Sequence, residues 1–378
     1  MKITAIICEF NPFHNGHAYL ISRARASGCD AVVCVMSGSF TQRGEICRVD
    51  KFLRAKHAVL NGADAVIELP VPFAVAPAEI FAGGAVKMIS ELDAELTLSF
   101  GSESGDNESF LKAADILLNE SENFKGVLNE KLQGGESYIR AYSAAFSACG
   151  GDGGLLSSPN NILGVEYAKA ALRQGGKIEL LPVRRTGGGY RDEALSGKFS
   201  SAAAIRANFC APSVKAAMPE SSYEDFARST DNGERFARLS ADMLFLCDKE
   251  NLKRVYGCTE GLENRLKAIA FGRALDEICA LAATKRYSKA RIMRIAAANL
   301  LGLYADETRE FLSARLPLKA LAVKKERADS LLPLLSSAGE ESEAAEKCLS
   351  LTSRAYALWQ HLSAPLIYEN KNEKMILI

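Results

Sequence analysis

Ile3-Thr4-Ala5-Ile6-Ile7-Cys8 followed by Glu9-Phe10-Asn11-Pro12-Phe13-His14-Asn15-Gly16-His17 is the stretch whose reading decides the fold. The apolar, β-branched first six residues read as a buried strand. Asn11-Pro12 marks a turn, and a helix is expected from about His17 through Ala26. A helix opening directly from a strand presents unpaired N–H groups and a positive dipole end, a site suited to phosphate. Gly16 removes a side chain at that point, so an anionic ligand can approach the backbone. His14 and His17 flank it, and the chain has only four histidines. Imidazoles placed there can hydrogen-bond an α-phosphate and stabilise charge as pyrophosphate leaves.

Outward from this loop, β-like runs alternate with helical stretches. Ala31–Met36, Ala65–Leu69 and Leu96–Phe100 read as further strands, with helices near 51–60 and 79–91 between them. Short buried runs separated by helices are the mark of βαβ units and a parallel sheet. Ligands on such sheets bind at the carboxyl ends of the strands, so the loops after Cys8, Met36, Leu69 and Phe100 are where a site is expected. Residues 106–150 read as helical with a break at Gly134-Gly135, a helix follows near 162–173, and Ile178–Val183 returns to the sheet. Gly187-Gly188-Gly189 opens a loop. From about residue 211 the β pattern stops, apart from a short run at Leu318–Val323. The expected organisation is an α/β, Rossmann-like domain over 1–210 and a mainly helical domain over 211–378.

Composition narrows the class. The 378 residues carry 46 Lys+Arg against 46 Asp+Glu, with 48% hydrophobic and 24% charged, which suits a globular chain with a sizeable core. No apolar run approaches the ~20 residues of a membrane helix. The N-terminus has no apolar h-region or cleavage site, so neither a membrane-spanning nor a secreted protein is expected. The ten cysteines are scattered, without a CxxC pair, and are expected to be reduced thiols in a cytoplasmic protein. Charge is balanced overall but not locally. Glu91 to Glu136 holds eleven acids and three bases, whereas Asn251 to Ser330 holds sixteen bases and nine acids. The second half is therefore the part expected to meet a polyanion.

The His14-Asn15-Gly16-His17 element resembles the HxGH motif of the adenylyl-transferring nucleotidylyltransferases. Phe199-Ser200-Ser201-Ala202-Ala203-Ala204-Ile205-Arg206 is similar in outline to their second motif, which holds the β- and γ-phosphates; Ala202 stands where many members have Thr. More specifically, residues 9–17, Val35 to Glu45, Ile67 to Pro70, Phe100 to Glu103, Ser158 to Gly164 and Thr284 to Arg291 resemble, in order, the tRNA(Met) cytidine acetate ligase family. That resemblance implies an enzyme that activates acetate with ATP as acetyl-adenylate and passes the acetyl group to N4 of the wobble cytidine of elongator tRNA(Met). It implies His14 and His17 as catalytic residues. It implies an ATP site of Ile7, Cys8, Glu9, Phe10, Asn11, Pro12, Phe13, His14, Asn15, Gly16, His17, Ala18, Tyr19 and Leu20, with Gly101, Ser200, Ser201 and Arg206. Asn160 or Asn161, and Arg184 or Arg185, complete it. Either Asn can instead cap the helix that follows, and Ser201 can cap its own. Magnesium is expected with ATP on charge grounds, although no carboxylate cage is visible.

Gln42, Arg43, Asp50, Lys51 and Arg54 follow the second strand and are expected as surface ion pairs or as lining of the acceptor side. In the second half, Lys285, Arg286, Tyr287, Lys289, Arg291 and Arg294 form a basic segment, with Arg291 and Arg294 one helical turn apart. Its cations suit phosphates, and Tyr287 suits stacking on an unpaired base. With the resemblance, this segment is expected to contact tRNA. Trp359 is expected in the core. The competing enzyme reading keeps the adenylyl chemistry but gives it a small phosphate or carboxylate acceptor.

Overall fold

Five parallel strands from the first half build the centre of the sheet: β1 (Lys2–Cys8), β2 (Ala31–Ser37), β3 (Ala65–Leu69), β4 (Glu95–Ser102) and β5 (Ile178–Arg184). They belong to a computed structural model that describes residues 1–185, 194–209, 211–284, 286–363 and 373–378. The Gly187-Gly188-Gly189 loop, Cys210 at the expected domain boundary, and Lys285 lie outside the described residues. β2 and β3 are buried at every position, as strands covered by helices on both faces must be.

The strand order is β5-β4-β1-β2-β3-β6-β7. From β1 the chain steps outward through β2 and β3, then returns to place β4 on the other side of β1. The order reverses between β1 and β4, which is where a crevice opens at the carboxyl edge of such a sheet. The loop carrying His14 and His17 leaves β1 at that point. The helices that pack around this half include α1 (Asn15–Arg25), α2 (Lys51–Leu60), α3 (Ala78–Ser90) and α4 (Pro159–Arg173). A short helix, α5 (Ala202–Ala207), follows β5.

The second half is mainly helical, including α6 (Lys289–Leu301) and α7 (Glu343–Ser363). It also extends the sheet. The β-like run near residue 320 is β6 (Ala320–Val323), antiparallel to β3, and β7 (Ile376–Leu377) adds beside it. One hydrophobic cluster runs through both halves, from Ile3 to Leu362. Trp359 is buried as expected, and its indole N–H donates to the Cys47 carbonyl at 2.6 Å.

Asp50, Lys51 and Arg54 are not surface ion pairs, and this corrects the sequence reading. Lys51 is fully buried and reaches Glu68 on β3 at 2.8 Å. Arg54, also fully buried, donates to the carbonyls of Val49, Ser37, Gly38 and Glu9. Asp50 accepts from the Tyr356 hydroxyl at 2.8 Å. Buried charges persist only where such partners replace water, and here they pin the loops at the carboxyl edge. No described helix is long and apolar enough to cross a membrane, and all nine described cysteines are free thiols.

Candidate active site

The two histidines are positioned by the backbone they help to fold. His14 is the N-cap of α1, and its Nδ1 accepts the Gly16 N–H at 3.1 Å. The Nδ1 of His17 accepts the His14 N–H at 3.2 Å in return, an imidazole version of the reciprocal capping box. Both Nδ1 atoms are occupied as acceptors, so each neutral ring carries its proton on Nε2. The rings stack with centroids 3.6 Å apart, and the Phe10 ring packs against His17 at 4.8 Å. A side chain at position 16 would put its Cβ 2.9 Å from Cε1 of His14. Gly16 thus makes room for the first histidine as well as for a ligand.

Both imidazoles are held neutral. Burial lowers His14 to about 3, with Arg185 and Arg206 pushing the same way. Burial also lowers His17 strongly, helped by His14 and Arg185. At neutral pH they are N–H donors, without charge of their own, beside two guanidinium groups.

A cavity opens in front of them, and it gathers most of the expected nucleotide residues. Ile7, Cys8, Glu9, Phe10, Asn11, His14, Gly16, His17, Tyr19 and Leu20 line it from β1 and α1, and Gly101 from β4. Arg184 and Arg185 enter from the end of β5, and Ser200, Ser201 and Arg206 from the α5 region. The stem of Arg185 passes over Gly101, whose missing Cβ would stand 3.4 Å from Cγ of Arg185. Arg206 donates to the Asn11 carbonyl at 2.6 Å and faces Glu45 at 3.4 Å, tying α5 to the histidine loop.

Some expected members stand outside this lining. Phe13 is fully buried in the core, Pro12 is buried in the turn, and Ala18 packs against the core. Asn15 works as a staple, its Nδ2 donating to the carbonyls of Lys198 at 3.1 Å and Ala216 at 2.9 Å. Ser222 donates to the Phe13 carbonyl at 2.7 Å, so the second half braces the loop from behind. Neither asparagine caps α4; Ser158 does. Asn160 lines the cavity and binds Glu103 at 2.8 Å, whereas buried Asn161 accepts the Glu103 N–H at 3.1 Å. The serines serve local structure too: Ser201 caps α5 by accepting the Ala204 N–H, and Ser200 donates to the Gly197 carbonyl.

The cavity also has walls beyond the expected nucleotide residues, among them Gln42 and Arg43, for which a lining role is one of the two expectations. Thr41, Gln42, Arg43 and Glu45 line it from the loop after β2, Phe81 from α3, and Leu163 and Tyr167 from α4. Asn160, Leu163 and Tyr167 recur at helical spacing on one face of α4, a pattern present in the sequence. The loop after β2 stands at the carboxyl edge of the sheet, where a site is expected, and places Gln42 and Arg43 on the lining.

The basic segment is arranged differently. Arg286 and Arg291 face Glu260 at 3.1 and 3.8 Å, and Lys289 faces Asp276 at 3.3 Å. Arg291 also binds the Gly257 carbonyl and the Thr259 hydroxyl. Tyr287 is buried, with its hydroxyl donating to the Glu260 carbonyl at 3.0 Å. Its ring is therefore not offered for stacking on a base, which corrects the expectation. Arg294 is half-buried, and its backbone crosses Gly44, where a Cβ would stand 2.8 Å from the Cα of Arg294. Gly44 has φ +77°, a conformation that favours glycine. The start of α6 is thereby docked on the loop that lines the cavity.

Known proteins are similar to this chain in sequence and fold. A family model described as HIGH nucleotidyl transferase matches residues 1–374. The tRNA(Met) cytidine acetate ligase of Acetivibrio thermocellus is 37% identical over 330 residues, covering 81% of this chain and 79% of that protein. The enzyme of the same name from Limosilactobacillus reuteri is 34% identical over 395 residues, covering the whole of both. Among solved structures, apo Thermotoga maritima TmcAL superposes with a TM-score of 0.91 at 27% identity over the full length of both chains. The same protein bound with alpha-thio ATP gives 0.85 at 28% identity, covering 97% of this chain and 96% of that one.

Proposed function

Because this chain belongs to the HIGH nucleotidyl transferases and, within them, to the tRNA(Met) cytidine acetate ligase family, we propose that it activates acetate with ATP and acetylates N4 of the wobble cytidine of elongator tRNA(Met). The carrying observation is the neutral His14–His17 pair, with both Nδ1 atoms engaged and arginines on the same cavity lining. An acetate oxygen attacks the α-phosphorus, and pyrophosphate leaves. The two Nε2–H groups donate to charge growing on the phosphates, the preorganised stabilisation that such a step needs. Arg185 and Arg206, with Arg43 and Arg184 on the same lining, suit a polyphosphate. No three metal-ligating side chains converge among the described residues.

The resulting mixed anhydride is a competent donor for N4, an amine whose lone pair is delocalised into the cytosine ring. Holding the base against it converts a slow encounter into a unimolecular step. Residues 1–210 carry the adenylation. The helical part over 211–378 carries the tRNA, with Lys285, Arg286, Lys289, Arg291 and Arg294 toward its backbone. Free thiols and the tRNA substrate suit a cytoplasmic enzyme.

The test is pyrophosphate release from ATP, with and without acetate, with tRNA added separately. Acetate-dependent release followed by N4-acetylcytidine in digested tRNA is the expected result. No release under any condition from folded, ATP-binding protein overturns acetate activation. Release that depends on a different small acceptor moves the assignment to that acceptor.

A further inference from the structure

Acyl transfer to N4 needs a proton acceptor, and the histidines cannot be it. Their Nδ1 atoms are filled by backbone N–H groups, and the cavity side of each neutral ring carries the proton. Burial and the neighbouring arginines oppose taking up a second one. Cys8 also lines the cavity, but its thiol donates to the Val35 carbonyl, and burial keeps it protonated. Two carboxylates remain on the lining, Glu9 and Glu45. Glu45 is engaged with Arg206 at 3.4 Å.

Glu9 is placed differently. It leaves the carboxyl end of β1 at the point where the strand order reverses. Its carbonyl is held by fully buried Arg54 at 2.5 Å, and its Oε1 accepts the Gln42 N–H at 2.6 Å. No hydrogen bond reaches Oε2 among the described residues, and Glu9 is part of the cavity lining. One oxygen is fixed, and the other is free to work.

We propose that Glu9 is the catalytic base that takes the N4 proton during acetyl transfer. The inference rests on the acetyl-transfer reading above. N4 of cytosine forms the new C–N bond to the acetyl carbon. The carbon–oxygen bond of the mixed anhydride breaks, AMP leaves with its electron pair, and the N4 proton goes to Oε2 of Glu9. The groups facing Glu9 set its proton affinity. Burial raises it above the ordinary carboxylate range and Glu45 adds to this, while the Gln42 N–H, Arg206 and Arg43 oppose it. A carboxylate moved upward in this way is a better base near neutral pH.

The experiment bypasses adenylation by supplying acetyl-adenylate directly. Wild-type enzyme and tRNA(Met) are mixed in single turnover across pH, and N4-acetylcytidine is measured by mass spectrometry. The wild-type rate is expected to rise with pH and level off as Glu9 ionises. Glu9→Gln keeps the acceptor for the Gln42 N–H but cannot take the proton. Transfer should fall by about 10²–10³-fold, and the rising limb should vanish. Glu9→Asp, which withdraws the carboxylate by one methylene, should be slower than wild type but keep the limb. Its result decides the matter if the Gln variant does not fold. Glu9→Gln transfer within threefold of wild type, or a slower rate with the limb intact, overturns the assignment of Glu9 alone. A wild-type enzyme that transfers nothing overturns the acetyl-transfer reading and this inference with it.

Discussion

Two stretches hold chemistry-bearing side chains at high density, residues 9–17 and residues 286–294, and they use them in opposite ways. In the first, the loop's own backbone occupies the Nδ1 atoms of His14 and His17, which leaves Nε2–H for something outside the chain. In the second, the side chains are engaged within the fold. Glu260 faces two arginines, its carbonyl takes the Tyr287 hydroxyl, and Asp276 takes Lys289. The difference teaches what a motif means. Spacing within a tight turn constrains geometry, because few backbones accommodate it. A run of charge describes an external field only after the partners elsewhere in the chain are subtracted.

The largest way to test the contrast is to remove an outward-facing donor. His17→Ala should lower acetate-dependent pyrophosphate release by about 10³-fold, the scale lost with one preorganised donor, while tRNA affinity stays within a factor of two. Loss of tRNA binding to the same degree, in folded protein, would mean that the two stretches are not separable. A subtler break leaves both histidines in place and moves one. In Gly16→Ala the new Cβ would stand 2.9 Å from the His14 ring, so the ring must shift. A misplacement of this size should slow pyrophosphate release by roughly 10- to 100-fold, with ATP affinity less affected than rate.

How far the sequence reveals this molecule depends on the same distinction. The strand–turn–helix at residues 3–25 and the return of β5 are legible because hydrophobic period and turn residues are local facts. So are His14, Gly16 and His17. Thr41 and Glu45 lie in the loop after β2, which the strand pattern marks as a place for a site, whereas Phe81 reaches the cavity only through tertiary packing and nothing local announces it. Asp50, Lys51 and Arg54 read as surface charges because their partners, Tyr356, Glu68 and several carbonyls, are remote in sequence or carry no side-chain signal. Tyr287 was legible as an aromatic among bases, but the Glu260 carbonyl that claims its hydroxyl lies 27 residues away. β6 pairs with β3 across some 250 residues, a register that no local pattern specifies.

The buried state of the histidine loop predicts a pH signature of its own. His14 stays neutral in the fold until about pH 3, whereas an unfolded histidine takes its proton near 6.5. The unfolded chain therefore binds more protons between these values, and stability falls as pH drops below about 6.5. Above that pH the group contributes no slope. His14→Asn keeps a good N-cap but removes the titration. Wild-type protein should thus lose more melting temperature between pH 7.5 and 5 than His14→Asn. Equal losses would mean that His14 is charged in the fold.

The smallest expected effect sharpens the other side. Glu260 is the carboxylate facing both Arg286 and Arg291, so Glu260→Gln should release their charge without emptying the space. Arg291 keeps its bonds to Gly257 and Thr259, which should hold the loop in place. If this segment meets the tRNA backbone, the variant should bind roughly two- to fivefold tighter at low salt and show a steeper salt dependence, because each cation gained at a phosphate displaces counterions. Arg286→Ala should move affinity and slope the opposite way. Binding curves measured at several salt concentrations distinguish the cases. Two variants that leave both affinity and slope unchanged would mean that residues 286–294 hold the helical half together and that the RNA lies elsewhere.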